Sequence, residues 1–207
     1  LGKLYATDCG NGGIADFACP CEESWSPARI FFFQRWCDEH DIHLIVVGSE
    51  VPLAEGIVDE LSTETRLVFG PSKDGARIES DKSYAKELMR QASIPTADAR
   101  SFTDIHSARH YLLRGLDREF ENEKLEELAE EVSEYMDFCN STDQQGNFQI
   151  SNELQSFLDQ REEPFVVKAS GLAAGKGVIV CKTIGEALRA VDHVMEDMAF
   201  GEAGSTV

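Results

Sequence analysis

The stretch Pro164–Cys181, PFVVKASGLAAGKGVIVC, constrains this chain more than any other. Two apolar, β-branched runs, Phe165-Val166-Val167 and Val178-Ile179-Val180, read as strands. Between them lies Gly171-Leu172-Ala173-Ala174-Gly175-Lys176-Gly177, a loop made almost wholly of small residues. A strand enters and a strand leaves, so the segment predicts a hairpin with a flexible tip. This context excludes a Walker A loop, which needs four residues between its glycines, Ser or Thr after the Lys, and a following helix. Here three residues separate Gly171 from Gly175, Gly177 follows Lys176, and a strand comes next. The dinucleotide fingerprint G-x-G-x-x-G fails for the same reason. What remains is a loop whose glycines let backbone N–H groups approach a ligand closely, with Lys176 adding positive charge, a design suited to covering phosphates.

Two further lysines bear on that reading. Lys168 stands at the inner end of the first strand, where a buried ammonium requires an anionic partner. The partner is either a ligand phosphate or one of the 38 acidic side chains, and the residues alone leave both open. Lys82, in Ser80-Asp81-Lys82-Ser83-Tyr84-Ala85-Lys86, falls at the start of a predicted helix, whose N-terminus favours anions.

The first third of the chain alternates strand and helix. Ser26-Pro27 marks a helix start, with Ile30, Phe33 and Cys37 recurring on one face up to about Glu39. Leu44-Ile45-Val46-Val47 is a short, continuously apolar run, which predicts a strand buried on both faces of a parallel sheet. One helix is expected through Leu53, Ile57, Val58 and Leu61, then a second strand, Leu67-Val68-Phe69, ending at Gly70-Pro71. Such crossover units bind ligands at the carboxyl ends of their strands, here the loops Gly48 to Pro52 and Gly70 to Ser72. From Asp74 a second region begins, with helical patterning through Tyr84, Leu88 and Met89 that stops before Ile94-Pro95. The acidic segment 117–163 predicts one amphipathic helix through Leu125, Leu128, Val132 and Met136, beside a turn-rich stretch 140–147. It reads as a solvated surface insertion.

Charge and composition narrow the function. With 19 basic against 38 acidic residues, a net charge of −19 argues against a nucleic-acid surface, which needs clustered Lys and Arg. No apolar run approaches the roughly 20 residues of a membrane helix. The chain starts at Leu1 with no signal-like segment, so an internal piece of a longer, cytoplasmic protein is expected. Six cysteines are too sparse for a disulfide scaffold. Cys19-Pro20-Cys21 lacks the second pair of a zinc site. His106 and His110 share a helical face without a third ligand, and a solvated face is the better reading.

Taken in order, Leu44 to Leu53, Phe69-Gly70-Pro71-Ser72, Asp81-Lys82-Ser83-Tyr84-Ala85-Lys86, Ile94-Pro95-Thr96-Ala97 and VVKASGLAAGKGVIV resemble the phosphoribosylamine–glycine ligase family of ATP-grasp enzymes. The resemblance runs from about Leu4 to Gly204, apart from the acidic segment. It implies an α/β chain: an N-terminal parallel-sheet, Rossmann-like (pre-ATP-grasp) domain over 1–73, then the first part of an α+β ATP-grasp domain over 74–207. On this resemblance Lys82 and Lys168 contact the nucleotide phosphates, and Gly171, Leu172, Ala173, Ala174, Gly175, Lys176 and Gly177 form the mobile loop that closes over them. Gly10, Asn11, Gly48, Ser49, Glu50 and Pro52 face the phosphoribosylamine and glycine end. Family members more often have Pro where Ser49 stands, and many bacterial ones Asp where Ser170 stands.

The implied reaction joins glycine to 5-phosphoribosylamine through an acyl phosphate, with ATP as substrate and Mg2+ (or Mn2+) as cofactor, in purine biosynthesis. Its demands are positioning and charge neutralisation, so no side-chain nucleophile is needed. The metal ligands are expected downstream of Val207, and a family's first strand ahead of Gly2, so the polypeptide alone is expected to be inactive. Another ATP-grasp carboxylate–amine ligase, a biotin carboxylase-like enzyme, or a non-catalytic nucleotide-binding module are the alternatives.

Overall fold

The computed structural model describes residues 2–7, 10–122, 125–141, 148–173 and 175–207. The chain divides into two compact units, Leu1–Ser80 and Asp81–Val207.

In the first unit, β1 (Tyr5–Ala6) and β2 (Cys19–Pro20) pair in parallel around α1 (Gly12–Ala15). α2 (Ile30–Glu39) follows a 3-10 turn, Pro27–Arg29, so Ser26-Pro27 does open a helical segment. α2 buries Phe33, Trp36 and Cys37, the spacing that puts three side chains on one helix face. β3 (Leu44–Val46) and β4 (Leu67–Phe69) pair in parallel, Leu44 opposite Leu67 and Val46 opposite Phe69. Between them the expected single helix is two, α3 (Glu50–Glu55) and α4 (Ile57–Leu61). Gly56 breaks it at φ +95°, a left-handed conformation that glycine adopts without a Cβ penalty. α5 (Lys73–Ser80) closes the unit.

Ile57, Leu61 and the buried face of α2 form the core, joined by Ile45, Val47 and Val68 from the sheet side. The buried Arg66 guanidinium locks β4 to this core by donating to the Leu61 carbonyl at 2.9 Å and to Asp38 at 2.9 Å. The expectation of a strand buried on both faces fails. Leu44, Val46, Leu67 and Phe69 are 60–71% exposed, because only the opposite face of this sheet carries packed helices.

The second unit begins with α6 (Lys82–Gln91), followed by α7 (Ile105–Leu113), α8 (Leu116–Asn122), α9 (Glu126–Asn140) and α10 (Asn152–Gln160). The hairpin β5 (Glu162–Lys168) and β6 (Val178–Thr183) and then α11 (Ile184–Val191) complete it. β5 and β6 are antiparallel, with Val167 opposite Ile179 and Lys168 opposite Val178. An irregularity between Glu162 and Phe165 accommodates Pro164, which has no N–H to give the ladder. One face of the hairpin, Phe165, Val167, Ile179 and Cys181, packs on α11 and its neighbours. α11 is capped by Thr183, whose hydroxyl accepts from Glu186 N at 3.1 Å, and packs tightly on α10 because Gly185 has no side chain to meet Asp159.

The acidic segment is not a solvated excursion. Phe120, Val132, Leu154 and Leu158 are fully buried, so α8, α9 and α10 supply much of this unit's core while their outward faces carry the acids. Most of the turn-rich stretch 140–147 lies outside the described residues. His106 is likewise not on a solvated face: its ring meets Phe138 edge-on at 5.6 Å, and its Nδ1 is buried. No helix of the described residues is long and apolar enough to cross a membrane.

Candidate functional site

The glycine-rich loop is held at its neck and left open at its tip. Ala169 N donates to Gly177 O at 2.8 Å, closing the neck, and Lys176 N donates to Ala173 O at 2.9 Å. Gly175 sits at φ +75° with open space where a side chain would stand. Gly171 and Gly177 serve a different purpose. A Cβ on Gly171 would lie 2.9 Å from Ala203 Cα, and one on Gly177 would lie 2.7 Å from Ala173 Cβ, so both are close-approach positions. Leu172 and Ala173 are half-buried, Gly175 and Lys176 are exposed, and Ala174 lies outside the described residues.

Lys82 and this loop meet. Lys82 is the first residue of α6, and its Nζ donates to Gly171 O at 3.0 Å. Protein groups take the first amides of this helix in the structure. Lys82 N donates to Ser170 O at 2.9 Å, Ser83 N to Ser170 Oγ at 3.1 Å, and Tyr84 N to Asp81 Oδ1 at 2.9 Å. What Lys82 offers a ligand is therefore its mobile ammonium.

Lys168 corrects the burial argument. It is exposed, on the hairpin face that also carries Val166, Val178 and Val180, and it makes no ion pair among the described residues. Neither a desolvated ammonium nor a structural salt bridge describes it. It stands with its charge turned outward at the end of β5, one residue before the loop's neck.

In the first unit, Gly10 and Asn11 precede α1, where Asn11 Oδ1 accepts from Gly13 N at 3.0 Å. Gly48, Ser49 and Glu50 are exposed at the carboxyl end of β3, and Pro52 is half-buried inside α3. The parallel register places that loop beside Gly70 to Ser72, at the ends of adjacent strands. Gly70 allows it, since a Cβ there would meet Leu53 at 2.7 Å. No hydrogen bond among the described residues joins Gly10 or Asn11 to the 48–52 loop. Nor does any group of three or more His, Cys, Asp or Glu among them converge to hold a metal ion.

The contacts that sequence reasoning did not find are those of Ser170, Ser83 and Asp81, and the backbone anchors Ala203 and Thr206. The Asp-x-Ser pattern at the start of α6 signals a cap, but nothing local announces that Ser170, 87 residues on from Ser83, shares it.

A glycine-rich hairpin loop between antiparallel strands, a lysine on the entering strand and another on a helix docked at the loop's root define an ATP-grasp type of domain, which follows a small parallel α/β unit in the sequence. Comparison with protein families agrees. Residues 1–79 match the N domain of phosphoribosylglycinamide synthetase, and residues 132–207 match its ATP-grasp (A) domain. The chain belongs to the phosphoribosylglycinamide synthetase family. It is 36% identical over 208 residues to the phosphoribosylamine–glycine ligase of Mesorhizobium japonicum, covering 100% of this chain and 37% of the relative. It is 35% identical over 198 residues to the enzyme of the same name from Nostoc sp., covering 96% and 36%. Similarity to the trifunctional purine biosynthetic protein adenosine-3 of Chironomus tentans is 40% over 172 residues, 83% of this chain and 9% of that protein. The chain thus spans well under half the length of these curated relatives.

Proposed function

We propose that this chain forms the nucleotide-facing and substrate-facing front of a phosphoribosylamine–glycine ligase. That enzyme couples ATP cleavage to joining the carboxylate of glycine to the amine of 5-phosphoribosylamine, in purine biosynthesis in the cytoplasm. The observation that carries the reading is the meeting of Lys82 with the root of the glycine-rich loop, in a chain whose two halves match two domains of one synthetase.

ATP supplies, when bound, the phosphoryl group that activates the glycine carboxylate. Mg2+ or Mn2+ accompanies the nucleotide, and no described residue is assigned to that ion. The chain's own residues neutralise and orient. Lys82 leaves a carbonyl, a weak partner for an ammonium, and turns to a phosphate oxygen, which makes a charge-assisted bond. Lys168 and Lys176, both exposed, add charge from the strand end and the loop tip. The Gly175 segment folds over the phosphates and keeps water from the acyl phosphate. The loops at 10–11 and 48–52 hold the amine and the carboxylate substrate at the ends of the parallel strands.

The test is ADP release by the intact protein with each substrate omitted in turn. ADP formation that requires both glycine and 5-phosphoribosylamine, and that Lys168→Met lowers at least tenfold in kcat/KM for ATP, supports the reading; such a loss is about 1.4 kcal/mol of transition-state binding. ADP release indifferent to glycine, or unaffected by the substitution, removes it.

A further inference from the structure

Ser170 is a buried hydroxyl residue at the root of the loop, bonded to both Ser83 and Asp81. It is 7% exposed. Its hydroxyl donates to Asp81 Oδ1 at 3.3 Å, so the 2.8 Å contact with Ser83 Oγ is donated by Ser83. Ser170 Oγ also accepts from Ser83 N at 3.1 Å, and Ser170 O accepts from Lys82 N at 2.9 Å. On its other side Ser170 N donates to Thr206 O at 2.9 Å. Ser170 therefore caps the first two amides of α6 from a distant part of the chain, and Asp81 caps the third. The single proton and both lone pairs of its hydroxyl are used, so a side chain without an oxygen there loses all three contacts.

The geometry points to Ser170 as a positioning residue: through its cap on α6 it holds Lys82 in register with the loop root, so that one rigid piece presents the ammonium to a triphosphate. This inference rests on the nucleotide reading given above. The root, 169–171, is tied to α6, Thr206 and Ala203, so the helix that carries Lys82 keeps its place at the loop root while the Lys82 ammonium turns to a ligand. Without the Ser170 hydroxyl, Ser83 N–H and Ser83 O–H lose their shared acceptor. The first turn of α6 then loosens, and Lys82 samples positions away from the loop.

The experiment is a thermodynamic cycle on ATP affinity, by isothermal titration calorimetry of the intact protein with MgATP. The proteins are wild type, Lys82→Met, Ser170→Ala and the double variant. Ser170→Ala is expected to weaken ATP about tenfold, the scale of a misplaced charge-assisted bond. In the Lys82→Met background the same substitution should change affinity less than about twofold, because the group it positions is gone. Ser83→Ala, which removes one hydroxyl bond and keeps the amide cap, gives the same pattern with a smaller loss if Ser170→Ala does not fold. If Lys82→Met leaves ATP affinity unchanged, the nucleotide reading fails. If Lys82→Met weakens ATP but Ser170→Ala or Ser83→Ala has no effect, or an equal effect in both backgrounds, the positioning role fails alone.

Discussion

Gly171→Ala tests the close packing at the loop root. The added Cβ would lie 2.9 Å from Ala203 Cα and 3.0 Å from Ala203 Cβ, against about 3.5–4.0 Å for an ordinary carbon contact. The Ala203 turn, Gly201–Gly204, cannot simply retreat, since a Cβ on the neighbouring Gly204 would already lie 2.4 Å from Val194 O. The strain falls on the Gly171 N to Ala203 O bond of 3.2 Å. Overpacking of this kind costs about 1–3 kcal/mol, and loss of the bond about 1 kcal/mol more. A total near 3 kcal/mol lowers Tm by about 6–12 °C for a chain of this size.

The two tryptophans, Trp25 and Trp36, lie in the first unit with Tyr5, while the other three tyrosines, Tyr84, Tyr111 and Tyr135, lie in the second. Tyrosine near-ultraviolet dichroism, measured in a Tyr5→Phe background, therefore follows the affected unit, and tryptophan fluorescence follows the other. The shift is expected in the tyrosine signal. Ala203→Gly in the Gly171→Ala background removes one of the two contacts and should restore part of the loss, a coupling visible in a double-mutant cycle. A tyrosine transition at the wild-type temperature, or Ala203→Gly destabilising equally in both backgrounds, would refute the argument.

Three other outcomes follow from the same structure. Asp104 caps α7 by accepting from Ser107 N at 2.7 Å; desolvation works to raise its pKa, but the Ser107 hydroxyl and amide, the His106 amide and the His106 ring together hold it below 3.8. A depressed carboxylate contributes stability above its unfolded pKa and loses it as pH falls through the folded value, so Asp104→Ala should cost about 1 kcal/mol at pH 7 in urea titrations. That deficit should vanish below the folded value, and a deficit that persists in acid would contradict the assignment. Arg109 pairs with Asp192 at 2.7 Å and Glu196 at 2.6 Å, and burial raises the Asp192 pKa despite that guanidinium. Arg109→Met should destabilise by about 1–2 kcal/mol, discounted because both carboxylates are partly solvated. A raised folded pKa means the folded state binds the proton first, so the variant's deficit should shrink as pH falls toward 4, and a deficit that widens would be contrary. Val46→Thr, on the bare sheet face, should change stability by less than about 0.5 kcal/mol in chemical denaturation, and a larger loss would mean that the face is covered.

The hairpin was legible because its signals are local. β-branched runs announce β5 and β6, and small residues announce the loop between them. Lys82 at the head of a helix was equally readable from the helical patterning through Tyr84, Leu88 and Met89. The misreadings all have tertiary causes. Apolar content in Leu44 to Val46 does not tell that one sheet face lies bare, and an apolar strand end did not keep Lys168 from solvent. The acidic segment hid its core side because its many charges dominate the composition while Phe120, Val132, Leu154 and Leu158 are buried. Gly56 divided one predicted helix into two, a break that hydrophobic spacing alone does not register. The trans cap by Ser170 joins residues 87 apart, beyond any local pattern.

Hydrogen exchange of the intact protein, measured by mass spectrometry with and without MgATP, bears most directly on the claim that this loop and Lys82 hold the nucleotide phosphates. Slowed exchange across 169–177 and the first turn of α6, with α9 unchanged, is the result expected. Protection confined to the groove that Lys86, Arg90 and Arg100 line between α6 and residues 93–101, with the loop exchanging as before, would contradict it.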